Sequence, residues 1–209
     1  MKLAVVAANG RVGRLVVKEA ADRGFDVTAF VRSENKTAAA KVVQKDLMDL
    51  EPADLAGFDA VVDAFGTWNP EEFSQQTATS QHLCDALSGT DTRLLIVGGA
   101  GSLYVNPEHT LQLLQTPDFP AEYVAMATSQ ADELAALRKR DDVKWTFVSP
   151  AADFQAEGPR TGSYLLAGEE FTTNDRGESA VSYADYAIAM VDEIESVDHI
   201  QQRISVVGK

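Results

Sequence analysis

The chain has 209 residues, 45% of them apolar, and its 32 acidic and 18 basic side chains give a formal net charge of −14. That length predicts one domain, residues 1–209, with a substantial core; that charge argues against nucleic-acid and anionic-membrane partners, which need a basic face. The lone cysteine, Cys84, excludes an intramolecular disulfide, and no apolar run is long enough for a membrane span or a signal-peptide core. The expectation is a cytoplasmic protein, monomer or homodimer, acting on a small-molecule substrate.

Short β-branched runs predict strands at 2–8, 26–32, 41–46, 59–66, 93–99, 144–149 and 203–208. Helical spacing fills several of the intervals. Val12, Leu15, Val16 and Ala20 mark a first helix, and Phe73, Thr77, Leu83 and Leu87 a second, which also carries Cys84 toward the core. Met126, Ala131, Leu134 and Leu137 mark a third, and Tyr186, Ile188, Val191 and Ile194 a fourth. Strands that read as continuous apolar runs are covered on both faces, as in parallel sheets. Alternation with helices implies βαβ units. The expected fold is α/β: a doubly wound, mostly parallel Rossmann sheet of six or seven strands. Two turn-rich stretches, 99–123 and 150–180, each follow a strand at its carboxyl end, where open α/β sheets bind ligands. The second is expected to form a small C-terminal substrate lobe. The strand at 203–208 has two readings, a member of the sheet or a pairing strand across a dimer.

The first strand runs into Ala7-Ala8-Asn9-Gly10-Arg11-Val12-Gly13. A dinucleotide-binding turn uses one glycine for the tight turn, one for close approach to the pyrophosphate and one for helix–strand packing. Gly10 and Gly13 fit the second and third tasks. Ala7 stands at the first, where it needs a negative φ, and Asn9 tolerates left-handed backbone. The helix start at Arg11 and Val12 would offer free N–H groups and a positive dipole end to phosphate. NAD sites usually end the second strand in an acid about 20 residues past the glycines. This strand ends Phe30-Val31-Arg32-Ser33, and Asp26 lies at its other end. Arg32, with Arg11 facing it from the turn, suits a 2′-phosphate, so NADP(H) is expected over NAD(H).

His82, His109 and His199 share no metal-ligand spacing, and no HExxH, paired-cysteine or GxSxG arrangement occurs, so no metal is expected. His109 lies in a cleft-side loop and is a candidate proton donor.

The segments AANGRVG (7–13), VRS (31–33), QKDLMDL (44–50), VVDAFGT (61–67), LLIVGGAGSL (94–103), WTFVSPAADF (145–154), RTGSY (160–164) and SYADYAIAMVDEIE (182–195) together resemble the atypical short-chain dehydrogenase/reductase-like proteins. Within that group the chain looks like the bacterial NADH-flavin reductases, a branch related to NmrA-like regulators and biliverdin reductase B. The resemblance implies pyrophosphate contacts at Gly10, Arg11 and Val12, a cofactor contact at Asn9 and a 2′-phosphate contact at Arg32. It puts Asp46 and Leu47 along the adenine, although Asp46 reads equally as a helix cap. It implies that Ala64, Phe65 and Gly66 pass close to the adenosine ribose and the nicotinamide side, that Gly98, Gly99, Ala100 and Ser102 face the nicotinamide, and that Pro150 and Ala151 lie near its carboxamide.

The Tyr-x-x-x-Lys acid of many relatives is missing: Ala127 stands four residues after Tyr123. Tyr123 then reads either as catalyst or as cleft wall, and Ser102 either orients a substrate oxygen or is a turn serine. Ketone reduction benefits from a positioned acid. Flavin reduction takes hydride at N5 and draws its proton from water, so the protein mainly holds two rings together. The expected activity is hydride transfer from NADPH to FMN, FAD or a similar flat acceptor, with the flavin as substrate. Candidate walls are Phe65, Trp68, Tyr104, Tyr123, Phe154 and Tyr164. The alternatives are a non-catalytic NADP(H)-binding regulator of the NmrA type and a nucleotide-sugar epimerase-like isomerase.

Overall fold

The run KLAVV forms the strand Lys2–Val6 (β1), buried from Leu3 onward. A strand buried on both faces belongs inside a sheet, and β1 pairs in parallel with Asp26–Val31 (β2) on one side and Ala60–Asp63 (β4) on the other. Lys41–Gln44 (β3) extends the sheet beyond β2. Arg93–Val97 (β5), Lys144–Pro150 (β6) and Gln202–Gly208 (β10) extend it beyond β4, all parallel. Tyr164–Ala167 (β8) closes that edge antiparallel to β10. The computed structural model describes residues 1–209, and its main sheet has eight strands in the order β3-β2-β1-β4-β5-β6-β10-β8.

Helices cover both faces. Arg11–Asp22 (α1) and Tyr183–Ser196 (α5) lie on one, where Val16, Val17 and Ala20 meet Met190, Val191 and Ile194. Phe73–Leu87 (α3) and Val124–Leu137 (α4) lie on the other, where Leu83, Cys84 and Leu87 share a core with Leu134, Leu137, Trp145 and Phe147. Each fully buried Val or Leu side chain contributes about 1.5–3 kcal/mol. Burial pushes the Cys84 thiol up to about 12, which leaves it a protonated core residue. A single turn, Pro52–Leu55 (α2), carries Pro at its start and a capping box between Glu51 and Asp54.

The expectation of six or seven strands falls short of the eight observed. The missing one is β8, only four residues long, half exposed and embedded in the turn-rich 150–180 stretch, so it shows no usable periodicity. The same stretch holds Asp153–Gln155 (β7), which pairs in parallel with Ala180–Ser182 (β9). The segment after β7 is tied to α5: Asp185, buried in the first turn, accepts from the N–H groups of Thr161 and Gly162. The strand at 203–208 is a member of the sheet, between β6 and β8.

Candidate functional site

β1 stops at Val6, and the next four residues turn the chain into α1. Ala7 has φ +54. The negative φ expected of an alanine there is overturned: the turn demands left-handed backbone, and Ala7 carries the strain a glycine would avoid. Gly10 precedes α1, donates its N–H to the Ala7 carbonyl at 3.1 Å and has no side chain to cap the helix. No acid occupies the first turn, so the α1 amino terminus keeps free N–H groups and its positive dipole end. A Cβ on Gly13 would lie 2.9 Å from Cα and O of Ala8, so the helix rests directly on the turn backbone. Asn9 faces sideways. Its amide donates to the Glu34 carbonyl at 2.9 Å and to Ser33 Oγ at 3.3 Å.

These residues form one end of a cleft of about 330 Å³ at the carboxyl edge of the sheet. Asn9 and Gly10 line it from the turn, Arg32 and Ser33 from beyond β2, and Lys45, Asp46, Leu47 and Met48 from beyond β3. Ala64, Phe65 and Gly66 line it from beyond β4, and Gln75 and Thr79 from α3. Val31 and Gln44 are register partners, so Arg32 and Lys45 follow side by side. Lys45 is 2.6 Å from Asp54, whereas Arg32 is exposed and has no carboxylate in salt-bridge reach. Asp46 Oδ1 accepts from the Met48 N–H at 3.0 Å, the capping role among its two readings. Asp26 pairs with Lys41 at the opposite strand end.

Beneath the Phe65 wall are two buried acids that sequence reasoning missed. Asp63 Oδ1 accepts from the Phe65 N–H at 2.9 Å, while Oδ2 has no partner. Glu133, on α4, accepts from Gln76 Nε2 at 3.1 Å and leaves Oε1 unpartnered. Burial raises Asp63 to about 6. Burial, then the nearby Asp63 charge, raises Glu133 well above the usual carboxylate range. Lys45, Gln75 and Thr79 were missed as well. The signal for Lys45 was its place after β3, beside Arg32.

The other sequence candidates lie outside this cleft. Arg11 is exposed in the first turn of α1, and Val12 is in the core. A Cβ on Gly98 would meet the Phe147 ring at 2.2 Å, and one on Gly99 would meet Gln130 Oε1 at 2.0 Å, so both glycines make room for side chains. Pro150 ends β6 opposite Val206, followed by buried Ala151. Ser102 is buried and accepts from Arg203 Nη1 at 2.9 Å. His109 is bonded to Glu170 at 2.6 Å and stacked on Tyr104, whose ring also lies under Arg203. Phe154 packs on Tyr183 and Tyr186, and Tyr164 donates to Asp192 at 2.6 Å. Of the aromatic candidates, Phe65 lines the cleft, and Trp68 and Tyr123 meet in the open.

Residues 7–196 match the family described as NAD(P)H-binding. The chain belongs to this NAD(P)H-binding family. A "putative NADH-flavin reductase" of Streptococcus pneumoniae TIGR4 is 53% identical, with TM-score 0.98 and full coverage of both chains. "Uncharacterized protein YwnB" of Bacillus subtilis (strain 168) is 42% identical over 211 residues, 100% of this chain and 99% of that one. A "putative epimerase" of Bacteroides thetaiotaomicron is 33% identical, with TM-score 0.86, over 99% of this chain and 96% of that one. The cleft fits the family's cofactor: the helix amino terminus behind Gly10 is uncapped, and Arg32 is an exposed cation without a partner. No helix of this NAD(P)H-binding protein is long and apolar enough to cross a membrane.

Proposed function

We propose that the protein transfers hydride from NADPH to a flat acceptor of the flavin class. It is an NAD(P)H-dependent oxidoreductase resembling the NADH-flavin reductases. The α1 amino terminus behind Gly10 and Arg11 holds the pyrophosphate. Arg32, with Lys45 beside it, holds the 2′-phosphate, and no acid stands at the end of β2 to favour a free ribose hydroxyl instead. Leu47 and Phe65 wall the adenosine, and Gly66 lets the cofactor pass toward the ends of β5 and β6. When bound, the reduced nicotinamide supplies two electrons and one proton as hydride. The 150–180 segment forms the far wall of the acceptor site.

One observation carries the choice of acceptor: none of the candidate proton donors, Ser102, His109 and Tyr123, lines the cleft. Ser102 is turned inward to Arg203, His109 is bound to Glu170, and Ala127 stands where a lysine would follow Tyr123. A carbonyl acceptor needs such a donor. A flavin takes hydride at N5 and a proton from water, and is released as the dihydroflavin. The same lack of an acid–base pair argues against the isomerase reading.

The test is oxidation of NADPH by the purified protein, followed by absorbance with and without flavin, with NADH in parallel. Saturable, flavin-dependent consumption that favours NADPH is expected. Binding of NADPH without consumption would overturn the reading in favour of a cofactor-responsive regulator.

A further inference from the structure

Trp68 is 71% exposed, more than any other large apolar side chain of the protein. It lies two residues beyond Gly66, on the segment that leaves the cleft wall toward α3. Its ring meets that of Tyr123 edge-on, with centroids 6.2 Å apart and planes at 69°. Tyr123 arrives from the other side, at the end of the segment that follows β5, and is itself 43% exposed. Two loops that follow neighbouring strands at the ligand-binding edge thus present an indole and a phenol to solvent with no further protein cover. Aromatic faces of this kind take flat π-systems by stacking.

Charge decides which flat molecule fits. No lysine or arginine occurs between Lys45 and Arg93, or between Arg93 and Arg138. Arg93 itself is buried at the amino end of β5, against Glu193. The two rim segments carry Glu71, Glu72, Asp118 and Glu122. Thr67 donates to Glu72 at 2.8 Å, and this bond, with Asn69 and the more distant field of Arg32, holds Glu72 below the usual carboxylate range. Of the arginines beyond α4, Arg138 and Arg203 are paired with Glu169, Arg160 with Glu19 and Arg176 with Glu178. With Arg32 committed to the cofactor, the formal charges on the two rim segments themselves are all carboxylates.

We infer that Trp68 and Tyr123 form the stacking platform for the acceptor, and that its acidic, cation-free rim selects an unphosphorylated flat acceptor, riboflavin over FMN or FAD. This rests on the flavin-class acceptor argued above and names the member of the class. The platform would lie outside the cleft that holds Arg32 and Lys45, beyond Gly66, on segments whose charged side chains are acids.

The experiment measures quenching of flavin fluorescence by the full-length protein saturated with NADP⁺, for riboflavin and FMN at low and moderate salt, beside steady-state NADPH oxidation with each flavin. Riboflavin should bind about tenfold more tightly than FMN at low salt, and the gap should narrow as salt screens the rim. Trp68→Ala should weaken riboflavin about tenfold, and Trp68→Phe should restore most of it. Glu71→Lys combined with Glu122→Lys should raise FMN affinity toward that of riboflavin. Equal or tighter binding of FMN, no binding of either flavin, or a Trp68→Ala variant that binds riboflavin as the parent does would overturn the inference. The two readings fail separately. Riboflavin-selective binding without NADPH consumption removes the reaction and keeps the platform. Consumption at equal kcat/KM with both flavins keeps the reaction and removes the selectivity.

Discussion

The Lys36 backbone N–H donates to Asn9 Oδ1 at 2.8 Å. Asn9 thereby joins the glycine turn to the segment that carries Arg32, and its amide returns a bond to the Glu34 carbonyl at 2.9 Å. Asn9 thus braces the glycine turn against the segment after β2. Asn9→Ala should lower stability by about 1–2 kcal/mol, as expected for losing bonds to backbone groups. It should also weaken NADPH several-fold, because Arg32 is then poorly positioned. Thermal melts and a fluorescence titration with NADPH check both effects.

Arg32→Ala should weaken NADPH by about tenfold or more, in line with the ~1.5–3 kcal/mol of a hydrogen bond to a charged group. NADH, which lacks the 2′-phosphate, should lose little. Parallel titrations with the two cofactors decide the point. An equal loss for both would remove the reason for preferring NADPH.

Ala7 is held at φ +54. Left-handed backbone costs an L-residue roughly 1–2 kcal/mol, and the extra freedom glycine has when unfolded offsets roughly 0.4–1 kcal/mol of any relief. Ala7→Gly should therefore raise stability by about 0.5–1 kcal/mol and Tm by a few degrees. A calorimetric scan of parent and variant measures it. The variant should still bind NADPH, since it restores the residue that dinucleotide turns normally use there.

Asp63 is raised from an ordinary 3.8 to about 6 by burial, partly opposed by the Phe65 N–H. Folding therefore favours the protonated acid. Its contribution to stability is intact below about pH 4 and is lost as pH rises through about 6. Asp63→Asn keeps an acceptor for Phe65 and removes the ionisation. The variant should melt with a flatter pH dependence between pH 4 and 7, and above pH 6 it should exceed the parent by on the order of 1–3 kcal/mol. Melting curves across that range are the measurement. The raised Glu133 gives Glu133→Gln the same sign.

The seven runs read as strands all fall in the main sheet; in six of them β-branched and other apolar residues buried on two faces leave a long apolar signature, while the exposed edge strand β3 is marked by its paired valines, Val42 and Val43. β7, β8 and β9 left none. They are three to four residues long and owe their pairing to neighbours far along the chain, such as Leu166 opposite Val206. Part of the cleft lining was legible for a similar reason. The turn, Arg32 and Phe65 all sit where a strand ends, and strand ends can be counted. Ser102 and His109 could not be judged that way. Their bonds to Arg203 and Glu170 span 101 and 61 residues, distances at which spacing carries no information. Glu133 was hidden because an acid in a helix reads as surface until tertiary packing covers it, and Asp63 because it ends a strand, where a polar residue reads as the start of a loop.

β10 lies between β6 and β8, although it comes after both in the chain. The strands beside Arg32 and Lys45, β1 to β4, are all complete by Asp63, so that half of the sheet is assembled from one contiguous segment. The other half has no such order. During synthesis or refolding, one edge of β6 and the single paired edge of β8 stay open until Gln202–Gly208 arrives to fill the gap. Open strand edges recruit strands from other chains. The last strand is thus both the closing piece of the sheet and the step at which aggregation competes most directly with folding.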